Sequence, residues 1–149
     1  MKFELPDLDA MQVLGSRIAD ALRVGDVVAL SGGLGAGKTT LARAIIAALG
    51  YQGEVPSPSF AIIETYDPPA LRLPLVHADF YRLKHPEEVH EIGLDDYRQG
   101  AALIAEWPES AGGFSQEPGC LSLHLETLGN GRIATVVAGK DWLGRALWT

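Results

Sequence analysis

Gly32-Gly33-Leu34-Gly35-Ala36-Gly37-Lys38-Thr39 fits the pattern G-x-x-x-x-G-K-[ST]. Just upstream, Asp26-Val27-Val28-Ala29-Leu30-Ser31 reads as a short buried strand. Just downstream, the run from Thr40 to Leu49 reads as a helix that Gly50 can terminate. Strand, glycine loop and helix together are the setting in which this pattern cradles phosphate. Glycines let the loop turn tightly and approach phosphate oxygens with no side chain in the way. Backbone N–H groups from Gly35 to Thr39 then point inward as an anion nest, reinforced by the positive end of the helix. Lys38 is placed to reach the β- and γ-phosphates, the Thr39 hydroxyl to ligate Mg²⁺, and Thr40 to reach the α-phosphate. The expectation is a nucleoside triphosphate site.

The 149-residue chain suits one domain, 1–149, with a sizeable core. Its 47% hydrophobic and 21% charged residues are those of a globular protein. No apolar run approaches the ~20 residues of a membrane span, so no membrane association is expected. The start, Met1-Lys2-Phe3-Glu4-Leu5-Pro6, has no signal-peptide shape. Cys120 is the one cysteine, which leaves no disulfide framework and no Cys-based metal site. A cytoplasmic protein is expected. The net charge is −7, and the 12 Lys and Arg are scattered. That argues against gripping nucleic acid alone, which takes a basic face.

Phe3-Glu4-Leu5 reads as an edge strand closed by Pro6. Asp9 and Gln12 have capping-box spacing, and Met11, Leu14, Ile18 and Leu22 recur at helical intervals, predicting a helix over 8–23. Residues 51–60 read as a loop, with Ser57 and Ser59 as turn formers, and an extended run from Ala61 to Tyr66 comes next. A second extended segment is expected from Leu71 to Tyr81, with His77 and Asp79 toward its C-terminal end. That end is where open α/β sheets place ligand-binding groups. Pro86 opens a short acidic helix whose Glu87, Glu88 and Glu91 suit a solvated face, continued by Leu94 to Arg98 after Gly93. His85 and His90 lack a matching ligand set for a metal.

Ala101-Ala102-Leu103-Ile104-Ala105 runs into Glu106-Trp107-Pro108-Glu109. A buried parallel strand ending in an acid has the form of a Walker B element, with Glu106 where Asp is usual. A carboxylate there can hold Mg²⁺ opposite Thr39, or simply satisfy a neighbouring helix. Residues 108–119 read as a connection. Leu121, Leu123 and Leu125 then alternate with Ser122, His124 and Glu126, and Gly129-Asn130-Gly131 turns the chain into a partner strand from Arg132 to Ala138. A turn of helix is expected around Gly144. The fold class expected is α/β: a single-domain P-loop NTPase fold whose mixed sheet, flanked by helices, carries a C-terminal antiparallel hairpin.

Four segments in order carry a family resemblance: 32–40 with its Thr39-Thr40 end, Ser57-Pro58-Ser59-Phe60, His77-Ala78-Asp79-Phe80-Tyr81-Arg82-Leu83, and Glu106-Trp107-Pro108-Glu109. Gly93-Leu94-Asp95-Asp96-Tyr97 also fits. On these the chain resembles TsaE, the small P-loop ATPase of bacterial tRNA threonylcarbamoyladenosine synthesis. It departs in having Gly33 where Asp is common and Ser59 where Thr is common. The resemblance implies ATP and Mg²⁺ as cofactors and a phosphate-binding set of Gly33, Leu34, Gly35, Ala36, Gly37, Lys38, Thr39 and Thr40. It implies that Thr39 and Glu106 hold Mg²⁺, with Asp79 needed for hydrolysis or itself the nearer metal ligand. Trp107 would lie beside the nucleotide, and Arg132 or Arg82 would assist the phosphates. It further implies an accessory ATPase working with TsaB and TsaD homologues, meeting tRNA only through that complex. A small-molecule P-loop kinase would need an Arg-rich lid, and a GTPase regulator an Asn-Lys-x-Asp motif; neither is visible.

Overall fold

The structure, a computed structural model, describes residues 1–56, 62–145 and 147. One seven-stranded sheet organises it. Its strands are β1 (Lys2–Leu5), β2 (Val27–Gly32), β3 (Ile63–Tyr66), β4 (Leu75–Asp79), β5 (Ala102–Glu106), β6 (Cys120–Leu128) and β7 (Gly131–Ala138). The order across the sheet is β1-β7-β6-β2-β5-β4-β3. The four central strands β6, β2, β5 and β4 are mutually parallel, while β3, β7 and β1 add antiparallel edges. The helices are α1 (Leu8–Ala21), α2 (Lys38–Ala48), α3 (Glu88–Glu91) and α4 (Leu94–Arg98). This is the expected α/β fold with a mixed sheet, and the hairpin of β6 and β7 turns on Gly129-Asn130.

Strands β2 and β5 are apolar from Val27 to Leu30 and from Ala102 to Ala105 because both their faces are covered. Val28, Leu30, Ala102 and Ile104 point to one core, against Leu14 and Ile18 of α1 and Leu41 and Ile45 of α2. Val27, Ala29, Leu103 and Ala105 point to the other, with Phe80, Leu94 and Phe114. The strand pleat thus splits one sequence run between two cores.

Several boundaries differ from the sequence expectation. The N-cap of α1 is Asp7, in extended conformation with its side chain accepting from the Ala10 N–H at 2.9 Å, and not Asp9. The helix ends at Ala21. There Arg72 donates from Nη2 to the carbonyls of Ala19 and Leu22, adding to the local bond from the Leu22 N–H to Ala19. The segment expected from Leu71 is a strand only from Leu75, because Pro74 has no N–H to give the ladder. Gly93, left-handed at φ 75°, separates α3 from α4. The closing turn of helix is a 3-10 turn at Lys140–Trp142, ahead of Gly144. Ser57, Ser59 and the start of the extended run at Ala61 lie outside the described residues. No helix of the described residues is long and apolar enough to cross a membrane.

Candidate nucleotide site

The parallel strands β2, β5 and β4 end side by side, and the segments leaving their C-terminal ends meet in one cleft of about 330 Å³. Leu34, Gly35, Gly37, Lys38, Thr39 and Thr40 come from the glycine loop and the first turn of α2. Asp79 and Tyr81 come from the end of β4, Glu106 and Trp107 from the end of β5, and Arg132 from the start of β7. All but Gly33 and Ala36 of the expected site residues therefore line it, and those two belong to the loop itself. Of the two candidate arginines, Arg132 is in the cleft lining.

The loop is shaped by its backbone. Gly32 sits at φ 137°, where a Cβ would run into the carbonyl oxygen of Leu125 on β6. Gly37, at φ 103°, is the N-cap of α2 and offers no side chain to its first-turn N–H groups. Those donors and the positive end of the helix are therefore directed at the cleft. Arg132 braces the loop, donating from Nε to the Ala36 carbonyl at 3.1 Å and from Nη2 to the Gly35 carbonyl at 3.0 Å.

Lys38 is 5% exposed, and its ammonium donates to the carbonyls of Gly32 (2.8 Å) and Gly33 (2.7 Å). It also lies 4.4 Å from the centroid of the Trp107 ring. Burial holds its pKa below the ordinary lysine value, with Glu106, Asp79 and Glu109 drawing it back upward. Trp107 takes the left-handed backbone conformation, φ 55°, that only glycine adopts freely. Such strain is found where surrounding structure fixes a residue for function. Its ring packs against Tyr81 at a centroid distance of 4.9 Å.

Two carboxylates close the cleft floor. Glu106, 1% exposed, accepts from the Thr39 hydroxyl on Oε1 at 2.7 Å. Asp79, 8% exposed, accepts from the Tyr81 N–H on Oδ1 at 2.9 Å. Burial is the main cause that raises the Asp79 carboxyl above its ordinary pKa; the Tyr81 N–H lowers it and the Glu106 charge raises it further. Sequence reasoning missed the partner of Glu106 on its other oxygen: His77, fully buried, lies with Nε2 2.6 Å from Oε2. It also missed Tyr81. Residues 77, 79 and 81 alternate along the extended segment and so share one face, which is the signal the sequence offers for both.

Hydroxyl and carboxylate oxygens at a helix N-terminus are the donor set of a hard divalent cation. Among the described residues no group of three or more His, Cys, Asp or Glu is placed to hold a metal unaided. An ion at Thr39 and Glu106 would complete its shell with phosphate oxygens and water, as Mg²⁺ does in triphosphate sites.

The family model for threonylcarbamoyl adenosine biosynthesis protein TsaE matches residues 5–133. The chain is 44% identical over 100 residues to the tRNA threonylcarbamoyladenosine biosynthesis protein TsaE of Streptomyces coelicolor, covering 66% of this chain and 68% of that protein. It is 37% identical over 147 residues to the protein of that name from Mycobacterium tuberculosis, covering 92% and 86% respectively. The crystal structure of YdiB from Bacillus subtilis superposes with a TM-score of 0.74 at 27% identity, covering 95% of this chain and 86% of that one.

Proposed function

This chain belongs to the TsaE family of tRNA threonylcarbamoyladenosine biosynthesis, and from that premise we propose that it binds Mg·ATP and hydrolyses it to ADP and phosphate in service of a TsaB–TsaD complex. The observation that carries the reading is the convergence of Lys38, Thr39, Asp79 and Glu106 on one cleft at the N-terminus of α2. The triphosphate lies along the loop from Gly33 to Thr40, its negative oxygens taken by the loop N–H groups. Lys38 exchanges the carbonyls of Gly32 and Gly33 for the β- and γ-phosphates. An adjoining hollow of about 320 Å³, lined by Leu8, Met11, Thr40, Asn130 and Arg132, receives the ribose and base.

Bound Mg²⁺ would be held by Thr39 and Glu106 and would offset charge on the β- and γ-phosphate oxygens. Asp79, fixed at Oδ1 by the Tyr81 N–H, keeps Oδ2 for a water placed in line with the γ-phosphorus. That water's oxygen bonds to phosphorus as the bridging bond to ADP breaks, and its proton passes toward Asp79. The raised pKa of Asp79 suits it to accept a proton. Arg132 keeps the loop carbonyls Gly35 and Ala36 turned away from the phosphates. The acidic balance of the chain, −7, fits a subunit that leaves tRNA to its partners.

Phosphate release from Mg·ATP, by the protein alone and with cognate TsaB and TsaD, tests this. Slow turnover that rises with the partners, with no acceptor present, is the expected result. Absence of stimulation and of co-elution would overturn the accessory role.

A further inference from the structure

We propose that His77 is the positioning residue of the metal-facing carboxylate: its Nε2–H holds Oε2 of Glu106 and so presents Oε1 to Thr39 and to a divalent cation. The inference rests on the proposed nucleotide site and adds a residue to it.

The parallel register pairs Asp79 with Glu106 and His77 with Ile104. His77 is therefore the diagonal neighbour of Glu106 on the same sheet face, within reach of its side chain. The two are buried to 0% and 1% exposure, so neither has bulk water to satisfy it. A buried ionised carboxylate needs a donor at each oxygen. Here the two oxygens are divided, Oε1 to the Thr39 hydroxyl at 2.7 Å and Oε2 to His77 Nε2 at 2.6 Å.

The other ring nitrogen identifies the tautomer. His77 Nδ1 is buried and has no hydrogen-bond partner among the described residues. With the proton on Nε2 the ring donates to Glu106 and leaves Nδ1 a bare acceptor. The opposite tautomer would strand a buried N–H and set two acceptors 2.6 Å apart. An imidazole N–H on a ligating carboxylate is the outer contact that fixes how the ligand faces its ion.

The test uses Mn²⁺ as a spectroscopic substitute for Mg²⁺ in the complex of the full-length protein with ADP. Mn²⁺ affinity is read by electron paramagnetic resonance, and ADP affinity is measured in parallel without metal. Removing such an outer contact by His77→Phe should loosen Mn²⁺ about 10-fold or more while metal-free ADP affinity holds. His77→Gln, which can still donate near Nε2, should recover most of the loss, and His77→Asn, which is too short, should not. In a Glu106→Gln background His77→Phe should add nothing further. Unchanged Mn²⁺ affinity in His77→Phe, or equal losses in the Phe and Gln variants, would overturn the proposal. Nitrogen NMR of the unaltered protein gives a second arm free of any folding defect: Nδ1 should resonate as an unprotonated imine nitrogen, and a protonated Nδ1 overturns the assignment. A wild-type protein whose ADP complex takes up no Mn²⁺ would bring down the nucleotide reading itself, and this one with it.

Discussion

The hydroxyl of Thr39 donates to Oε1 of Glu106 at 2.7 Å across 67 residues of sequence. The pair is closed on itself, each partner occupying the lone pair or proton that a cation would rearrange. Glu106→Gln keeps the shape and an acceptor for Thr39 but removes the charge. Ligand charge sets the affinity of hard-cation sites, so the Mg²⁺ concentration for half-maximal phosphate release should rise roughly tenfold or more. A Mg²⁺ titration that does not move would transfer the metal to Asp79.

Lys38 rests between two carbonyls and the Trp107 face. Under the proposed function a triphosphate would draw the ammonium off that ring, so tryptophan emission should change on adding Mg·ATP and should stay still in Trp107→Phe. Lys38→Ala should lower hydrolysis by about 10² or more, the loss expected when a preorganised donor to developing charge is removed. Its far-ultraviolet circular dichroism should match the wild type. Normal turnover by Lys38→Ala would refute the phosphate role of the loop.

Asp79 is an acid whose folded pKa is raised by burial above the ordinary aspartate value. The folded state then binds its proton more tightly than the unfolded state, so ionised Asp79 weighs against folding at neutral pH. That penalty is relieved as pH falls through the folded pKa, and it vanishes below the unfolded one. Asp79→Asn should accordingly raise the Tm at pH 7, with a gain that shrinks on acidification, while phosphate release collapses. Thermal melts across pH, set beside turnover, check both halves. A lowered Tm at pH 7 would contradict the burial argument.

At the other end of β2, Asp26 and Arg145 form a buried pair, Nη1 to Oδ2 at 2.5 Å, with side chains 5% and 6% exposed. Arg145 also donates to the Ala21 carbonyl, and Asp26 accepts from the Arg23 N–H. Arg145→Ala leaves a buried carboxylate without its ion partner and should cost about 3–5 kcal/mol. Urea denaturation measures that cost. Mg·ATP affinity of the folded fraction should be unaltered, because the pair is remote from the loop.

Legibility in the sequence tracks the range of the interactions. The loop, its strand and its helix are neighbours in sequence, so glycine spacing and apolar runs expose them directly. Asp79 and Glu106 were legible because both sit where apolar strands end. Their partners were not. His77 finds Glu106 across 29 residues, Arg132 finds Ala36 across 96, and Arg145 finds Asp26 across 119. Periodicity tells which face a side chain takes, not what waits opposite. Local misreadings have local causes: Asp7 and Asp9 both offer a cap, and it is Asp7, extended directly after Pro6, that takes it. Leucines at 71 and 73 resemble strand, but both antiparallel and parallel partners of that segment begin pairing at Leu75.

Arg132 joins the phosphate loop to the start of β7, 97 residues beyond Gly35, and β2 lies between β5 and β6. During synthesis the glycine loop leaves the ribosome long before the strand that flanks it and the guanidinium that braces it. A nascent chain halted before Cys120 carries the whole loop motif on a β2 with one bare edge. The loop is therefore walled and braced only after β6 and the start of β7 have been made, so its shape depends on contacts that a chain halted earlier lacks.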